Sequence, residues 1–213
     1  MTERGMIFNA EMVRAILDGR KTQTRRPVKF PVHDKNLGCE LAGNELAGEL
    51  SAGNYLNSAF GKPGDRIWVR EAFRVHSRAT DVATLVYKAS ERNSWTEQTH
   101  RVPVAVCNKP ATPEKWTPSL HMPRWASRIL LEITDVRVER LNAISEEDAR
   151  AEGIIDGGCL NCGEPEPCGC ANPEPDATDA FAYLWQSIYG QESWNANPWV
   201  WVISFKRVEG GAA

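Results

Sequence analysis

The chain has 213 residues and a net charge of −3, with 25 Lys and Arg against 28 Asp and Glu. This length suits one domain with a real core and is short for two. A protein that coats duplex nucleic acid is usually basic, so the charge argues against extended phosphate contact. No apolar run reaches the ~18 residues of a membrane span. The charged start lacks the apolar core of a signal peptide, which predicts a cytoplasmic protein, and we expect a monomer.

The first predicted elements lead into a strongly basic segment. A short apolar run at 6–8 predicts a strand, and Asn9 can cap the helix that follows. Apolar residues recur at helical spacing from 12 to 17, and Gly19 can end that helix in a left-handed conformation. Pro27 prevents further helix. We therefore expect residues 19–26 to form a bent basic loop.

The middle of the chain is predicted to be mainly strands. Residues 30–60 show little periodicity and indicate an irregular insert with at most a short helix. The turn at 61–65 leads into a predicted strand at 67–73, and a second strand follows at 85–88. Residues 128–139 alternate between apolar and polar side chains and give the strongest strand pattern.

The last third alternates helices with an insert. Ser145 can cap a short acidic helix that ends at Gly153. A cysteine-rich insert covers about 156–176, an amphipathic helix follows at 177–189, and an apolar strand closes the chain at 199–205. The order of elements predicts a single α+β domain over 1–213, with a small mixed β-barrel and peripheral helices.

The basic segment carries a family resemblance. Gly19-Arg-Lys-Thr-Gln-Thr-Arg-Arg26 matches the GxKxxxxR signature of the ASCH superfamily, and three further segments stand in the family's order. They are the turn Lys62–Asp65, the helix end Ala151–Gly153 and the closing strand Trp199–Lys206. The resemblance implies a PUA-like small mixed β-barrel with peripheral helices.

Within this superfamily the chain resembles bacterial N(4)-acetylcytidine amidohydrolases, as well as phage and prophage ASCH proteins. The resemblance implies hydrolysis of N(4)-acetylcytidine, or related N4-acylated cytosines, to cytidine or cytosine and a carboxylate. It also implies a catalytic lysine, a threonine three residues later and a glutamate on a following helix. Lys21, Thr24 and Glu152 occupy those positions.

The chemistry of these three residues is consistent with amide hydrolysis, which needs a nucleophile, a proton acceptor and a proton donor. The neighbouring arginines should lower the pKa of Lys21, so that the lysine can accept the proton of Thr24 or direct a water. In an extended strand residues 21 and 24 point to opposite faces, so their convergence requires a bend. Glu152 ends its helix, where the dipole disfavours an anion and so favours a proton donor.

Four further residues are candidates for substrate binding. Arg26 can hold the developing oxyanion, and Trp68 or Tyr87 can stack on the base. Glu71 is a rival carboxylate, flanked by arginines. Each candidate has a simpler interpretation: a solvated basic stretch, core aromatic residues, a surface ion pair for Glu71 and a surface helix position for Glu152.

The cysteine-rich insert predicts a metal site that is separate from catalysis. Cys159, Cys162, Cys168 and Cys170 form CxxC, five residues and CxC, a set that can hold a structural zinc ion with four thiolates. Reduced thiols or a disulfide, and an iron–sulfur cluster, are the alternatives. No cofactor is expected for catalysis.

The sequence is also compatible with two other functions. PUA-like barrels often bind RNA, and some ASCH proteins resemble ribonucleases, which would use the same basic residues on a phosphodiester. The expected partner is a small modified nucleoside or base, with RNA as the alternative and no membrane.

Overall fold

A computed structural model describes residues 1–155 and 177–208. Within these ranges the chain forms ten strands and six α-helices: β1 (Glu3–Ile7), α1 (Ala10–Leu17), β2 (Gln23–Pro27), β3 (Val32–His33), β4 (Glu40–Leu41), α2 (Gly43–Ser51), β5 (Arg66–Arg70), β6 (Phe73–Arg78), β7 (Val82–Tyr87), α3 (Trp95–Gln98), β8 (Thr99–Pro103), β9 (Leu130–Arg140), α4 (Glu146–Ala151), α5 (Ala177–Tyr189), α6 (Gln191–Asn195) and β10 (Trp199–Arg207). The predicted mixed α+β class is confirmed. Among the described residues the strands form three sheets, and none of them closes into a barrel.

The chain divides into two compact units. Of the described residues, the first combines 1–19, 64–132 and 206–208, and the second combines 20–63, 133–155 and 177–205. No such division was expected from the sequence, because each unit is assembled from segments that lie far apart along the chain.

The first unit contains a parallel strand pair and an antiparallel meander. β1 runs parallel to β5, with Glu3 opposite Arg66, and β5 pairs antiparallel with the first residues of β9. β6, β7 and β8 follow one another as antiparallel neighbours. The meander buries an apolar cluster of Phe73, Val75, Ala83, Leu85, Tyr87, Val102, Cys107, Met122 and Ala126.

The second unit is built around β10. This strand pairs antiparallel with β2, with Ile203 opposite Thr24, while β3 and β4 form a separate two-stranded ladder. Apolar side chains from α4 and the connection before it, from α5 and from β10 form one cluster, which consists of Leu141, Ile144, Ala149, Ala177, Phe181, Trp185, Val200 and Val202. The helices α4 and α5 therefore cover the face of β10 that carries Val200 and Val202.

Several local predictions are confirmed. Asn9 caps α1 by accepting a hydrogen bond from the Met12 amide at 2.8 Å, and Gly19 follows the helix with φ +76°. The helix predicted at 177–189 has those bounds. The strand predicted at 67–73 is wrong at its end, because the Glu71 amide donates to the Met122 sulfur at 3.1 Å and β6 starts only at Phe73. The insert at 30–60 contains α2 and the β3–β4 ladder.

No described helix has the length and apolar character needed to cross a membrane. The longest of them, α5, has 13 residues, whereas a span requires roughly 20.

Candidate functional site

The basic segment that follows α1 is extended, so the bent loop expected from the sequence is wrong. Gln23–Pro27 form β2 and pair with β10. Just before this strand, the Thr22 carbonyl accepts from the Phe205 amide, and the Thr22 amide donates to the Ala151 carbonyl, both at 2.8 Å. These hydrogen bonds satisfy backbone groups that a bend would have left without partners, which explains why the segment is extended.

Because the segment is extended, its side chains leave alternate faces. Lys21, Gln23 and Arg25 share one face: the Gln23 amide hydrogen-bonds the Ser204 hydroxyl at 3.3 Å, and the Arg25 guanidinium lies 5.7 Å from the centre of the Phe181 ring. Thr24 and Arg26 leave by the other face. A direct proton transfer from Thr24 to Lys21, as considered from the sequence, therefore has no geometric basis in the described structure.

Lys21 and Glu152 form a buried ion pair inside the second unit. The Lys21 Nζ lies 2.7 Å from Glu152 Oε2 and donates to the Glu152 carbonyl at 2.8 Å. The two residues also form an isolated antiparallel bridge, and they are 2% and 5% exposed. Glu152 is the C-cap of α4, and Gly153 then turns the chain with φ +88°. Two of the three residues expected to act together are thus in contact, and Glu152 is not a surface helix residue.

Arg25 connects this pair to a larger network of charges. Its Nη1 lies 3.3 Å from Glu152 Oε1, and its Nη2 lies 2.7 Å from both Glu139 Oε1 and Asp148 Oδ2. Arg137 bridges the same two acids, with Nη2 at 2.7 Å from Asp148 and Nε at 3.1 Å from Glu139. Together with the lysine, three cations contact these three carboxylates, and Arg137 Nη1 also lies 3.5 Å from Asp135 Oδ2.

Burial is the main influence on the protonation of Lys21. It lowers the pKa of Lys21 from its ordinary value; the charge of Glu152 opposes this shift, and Arg26 and Arg25 add to it. The lowered pKa expected from the sequence is confirmed in direction, but the arginines are the smaller cause. For Asp148, burial alone would raise the pKa, but hydrogen bonds and charges from Arg25 and Arg137 lower it on balance.

The carboxylates are positioned by the two ends of α4 and by β9. The Ser145 hydroxyl accepts from the Asp148 amide at 3.1 Å and fixes the first turn. The Glu146 carboxylate accepts from the amides of Ala177 and Thr178 at 3.1 and 3.2 Å, so it also caps the start of α5. Two-residue spacing in β9 places Arg137 and Glu139 on one face.

Glu71 and Tyr87, both considered for substrate binding, lie in the first unit. Glu71 is 2% exposed and paired with Arg128, with Nε–Oε1 at 2.9 Å and Nη2–Oε2 at 3.1 Å. The ion pair is therefore buried rather than on the surface. Burial raises the pKa of Glu71, and Arg128 opposes that shift. The Tyr87 hydroxyl donates to the Ala126 carbonyl at 2.7 Å, and the Arg128 guanidinium lies 4.0 Å from its ring centre. Tyr87 is thus a core residue with one ring face already in contact with a cation.

Trp68 also lies in the first unit. It is half-buried in β5, with the Arg70 guanidinium 5.5 Å from its ring centre. A side chain on Gly5 of the neighbouring β1 would meet the Trp68 ring at 2.6 Å, so Gly5 provides the close approach that this ring needs. Trp68, Glu71 and Tyr87 therefore belong to a different unit from Lys21, Thr24, Arg26 and Glu152.

The network residues Arg25, Arg137, Glu139 and Asp148 were not predicted from the sequence. The sequence did contain a signal for Arg25: Lys21, Gln23 and Arg25 are spaced two residues apart, which is the spacing of side chains on one face of a strand. The predicted zinc ligands, Cys159, Cys162, Cys168 and Cys170, lie outside the described residues. Within 1–155 and 177–208, no group of three or more His, Cys, Asp or Glu residues is arranged to hold a metal ion.

Comparison of the chain with protein-family models, with curated proteins and with solved structures finds no match. The site is therefore defined by its own geometry: a buried lysine–glutamate pair, held by an arginine that bridges three carboxylates.

Proposed function

We propose that the protein is a cytoplasmic ASCH-type amidohydrolase with a PUA-like fold. Its substrate is N(4)-acetylcytidine or a related N4-acylated cytosine, which it cleaves to the free amine and a carboxylate. The observation that carries the proposal is the contact of 2.7 Å between Lys21 Nζ and Glu152 Oε2, with both groups buried. A buried amine of lowered pKa in contact with a carboxylate is suited to exchange a proton with it.

The hydrolysis requires two proton movements. Water adds to the acyl carbon and loses a proton, the C–N bond to the exocyclic N4 breaks, and N4 gains a proton as it leaves. In the proposed mechanism the uncharged form of Lys21, which burial favours, accepts the proton of the attacking water. Glu152 shares that proton across the 2.7 Å contact and delivers it to N4. Water is assigned as the nucleophile because Thr24 leaves the opposite face of the strand.

Arg25 acts in this proposal as a positioning residue. It contacts Glu152 Oε1 at 3.3 Å, which leaves Oε2 directed at Lys21. Glu139 and Asp148 each hold Arg25 Nη2 at 2.7 Å, so the guanidinium has little freedom to move away. The assignments of Trp68, Glu71 and Tyr87 as substrate contacts stay predictions, and Arg26, which leaves the face opposite to Lys21, has no step in this mechanism.

The same charges argue against phosphate contact by Lys21 and Arg25 in an RNA-binding module or a ribonuclease. To bind phosphates, cationic side chains must be able to replace the counterions that surround the nucleic acid. The side chains of Lys21 and Arg25 are 0% exposed and already paired with carboxylates. A module that grips RNA through these two side chains would need to break these pairs.

Turnover of N(4)-acetylcytidine, followed by the ultraviolet change on deacylation, tests the proposal. We expect Lys21→Met and Glu152→Gln each to lower kcat by at least about a hundredfold, the usual contribution of a proton-transfer group. Glu147→Gln is the matched control, because Glu147 is an exposed residue of the same helix. Circular dichroism establishes that each variant is folded.

One result would contradict the proposed function, and another would contradict only the proposed mechanism. If the wild-type protein hydrolyses neither the acetyl nor longer acyl derivatives, the function is wrong. If it does so while Lys21→Met keeps the full rate, the function stands and the assigned mechanism is wrong.

A further inference from the structure

A second feature of the described chain is a pocket in the second unit, where β2 ends. It has a volume of about 450 Å³, which lies within the range of small-molecule sites. Arg26 and Lys29 line it together with three aromatic residues, Phe60, Tyr189 and Trp201. The proposed hydrolysis does not account for this combination of aromatic rings and cations.

The aromatic walls are contributed by different parts of the unit and are fixed by ring contacts. The rings of Phe60 and Trp201 meet edge to face, with centres 5.8 Å apart and planes at 70°. Tyr189, the last residue of α5, packs on Trp185 with ring centres 4.4 Å apart. Rings held in this way offer a preformed surface for another planar ring.

The segment that carries Phe60 is anchored on both sides. The Asn57 amide nitrogen donates to Glu49 of α2 at 2.8 Å, and its oxygen accepts from the Lys35 amide at 3.0 Å. The Phe60 amide then donates to the Ser58 hydroxyl at 3.2 Å. This wall of the pocket is thus in place before any ligand binds.

The charge of the pocket differs from that of the whole protein. The chain carries a net charge of −3, yet the residues lining the pocket, as far as the structure describes the chain, include two cations and no carboxylate. A concave site with one sign of charge attracts ligands of the opposite sign. Aromatic walls and a positive rim together favour a ligand with a planar ring and an anionic group.

We propose that this pocket binds a nucleoside 5′-monophosphate, with the base against the aromatic side chains and the phosphate at Lys29 and Arg26. Base–aromatic stacking and charge-assisted phosphate contacts supply the two parts of the affinity. The nucleotide is either free or the 5′-terminal residue of an RNA, since both present the same groups. Binding does not depend on amide hydrolysis, because the Lys21–Glu152 pair lies on the other face of the strand that carries Arg26.

Calorimetric titration with three probes tests the two halves of the site. Cytidine 5′-monophosphate carries both groups, cytidine lacks the phosphate and ribose 5-phosphate lacks the base. We expect the monophosphate to bind at least about tenfold more tightly than either fragment, because each fragment lacks one charged or stacked contact. None of these probes carries an acyl amide, so the result is independent of the proposed hydrolase activity.

Two substitutions assign the binding to this pocket. Lys29 is exposed, so Lys29→Glu leaves the core intact and should weaken monophosphate binding about tenfold or more. Lys115→Glu makes the same charge change at an exposed position of the first unit and should have no effect. Phe60→Leu should lower the affinity for the monophosphate and for cytidine by a similar factor, since it removes a stacking surface.

Each binding result either supports or overturns the proposed site. Equal binding of the monophosphate and cytidine, or an unchanged affinity in Lys29→Glu, overturns the proposal. Equal binding of ribose 5-phosphate and the monophosphate overturns the part assigned to the rings. A short 5′-phosphorylated RNA that binds more tightly than the mononucleotide, with the same loss in Lys29→Glu, supports the site and identifies RNA as the source of the nucleotide.

Discussion

The buried Lys21–Glu152 pair gives a quantitative prediction for stability. Removing one member of a buried ion pair costs about 3–5 kcal/mol, because the other charge is left without its partner. Glu152→Gln removes the carboxylate that Lys21 and Arg25 share, so we expect a loss in this range. Lys21→Met should cost less, because Arg25 remains 3.3 Å from Glu152 Oε1. Domains are typically stable by ~5–15 kcal/mol, so both variants should still fold.

The double variant separates the pair interaction from the individual losses. When both charges are removed, no buried ion is left alone, so Lys21→Met/Glu152→Gln should be less destabilised than the sum of the single variants by roughly 1–3 kcal/mol. Urea unfolding at pH 7, followed by circular dichroism, measures all four proteins. Additivity within about 0.5 kcal/mol would show that the two groups do not interact and would refute the reasoning.

The same pair should also make stability depend on pH. Because the pKa of Lys21 is lowered by burial, the folded state binds fewer protons than the unfolded state between the folded pKa and the unfolded value of 10.5. Stability therefore rises with pH across that window. The wild-type protein should gain stability relative to Lys21→Met as the pH is raised from 7 towards 10. A difference that is constant or shrinks would contradict the assigned direction.

Four shorter predictions follow from the other groups. Thr24→Val should keep kcat for N(4)-acetylcytidine within about tenfold of wild type, and a loss beyond about a thousandfold would instead establish Thr24 as the nucleophile. Arg25→Lys should lower both stability and kcat, because a lysine cannot bridge three carboxylates, and unfolding and kinetic measurements on one preparation check this. The pKa of Asp148 is lower in the folded than in the unfolded state. Its contribution to stability is therefore fully present above the unfolded pKa of 3.8 and is lost as the pH falls through the folded pKa. Asp148→Asn should flatten that part of an acid-unfolding profile. Metal analysis should find about one zinc per chain, with loss in Cys159→Ser, and a fully folded metal-free protein would rule out the zinc site.

The sequence by itself determined most of the local structure. Asn9 and Ser145 are residues whose side chains can satisfy the free amides of a helix start, and both do so. Gly19 accepts the positive φ that ends α1 without steric cost. The bounds of α5 followed from its 3.6-residue apolar spacing, because burial of one helix face is a short-range pattern.

The tertiary structure decided which charges meet. Residues 19–26 look like a solvated loop when only neighbours in the sequence are considered. Their extended conformation follows from backbone partners about 130 to 180 residues away, at Ala151, Ser204 and Phe205. That pairing sends Lys21 and Arg25 to one face and Thr24 to the other.

The pKa of Lys21 likewise depends partly on neighbours in the sequence and partly on the tertiary structure. The sequence correctly indicated the direction of its pKa shift from the neighbouring arginines, but the larger cause is burial. Burial depends on α4 and β9, which bring Glu152, Asp148 and Glu139 to the lysine side of the segment. Desolvation and charge pairing act through space, so only the folded arrangement could establish which acids compensate which bases.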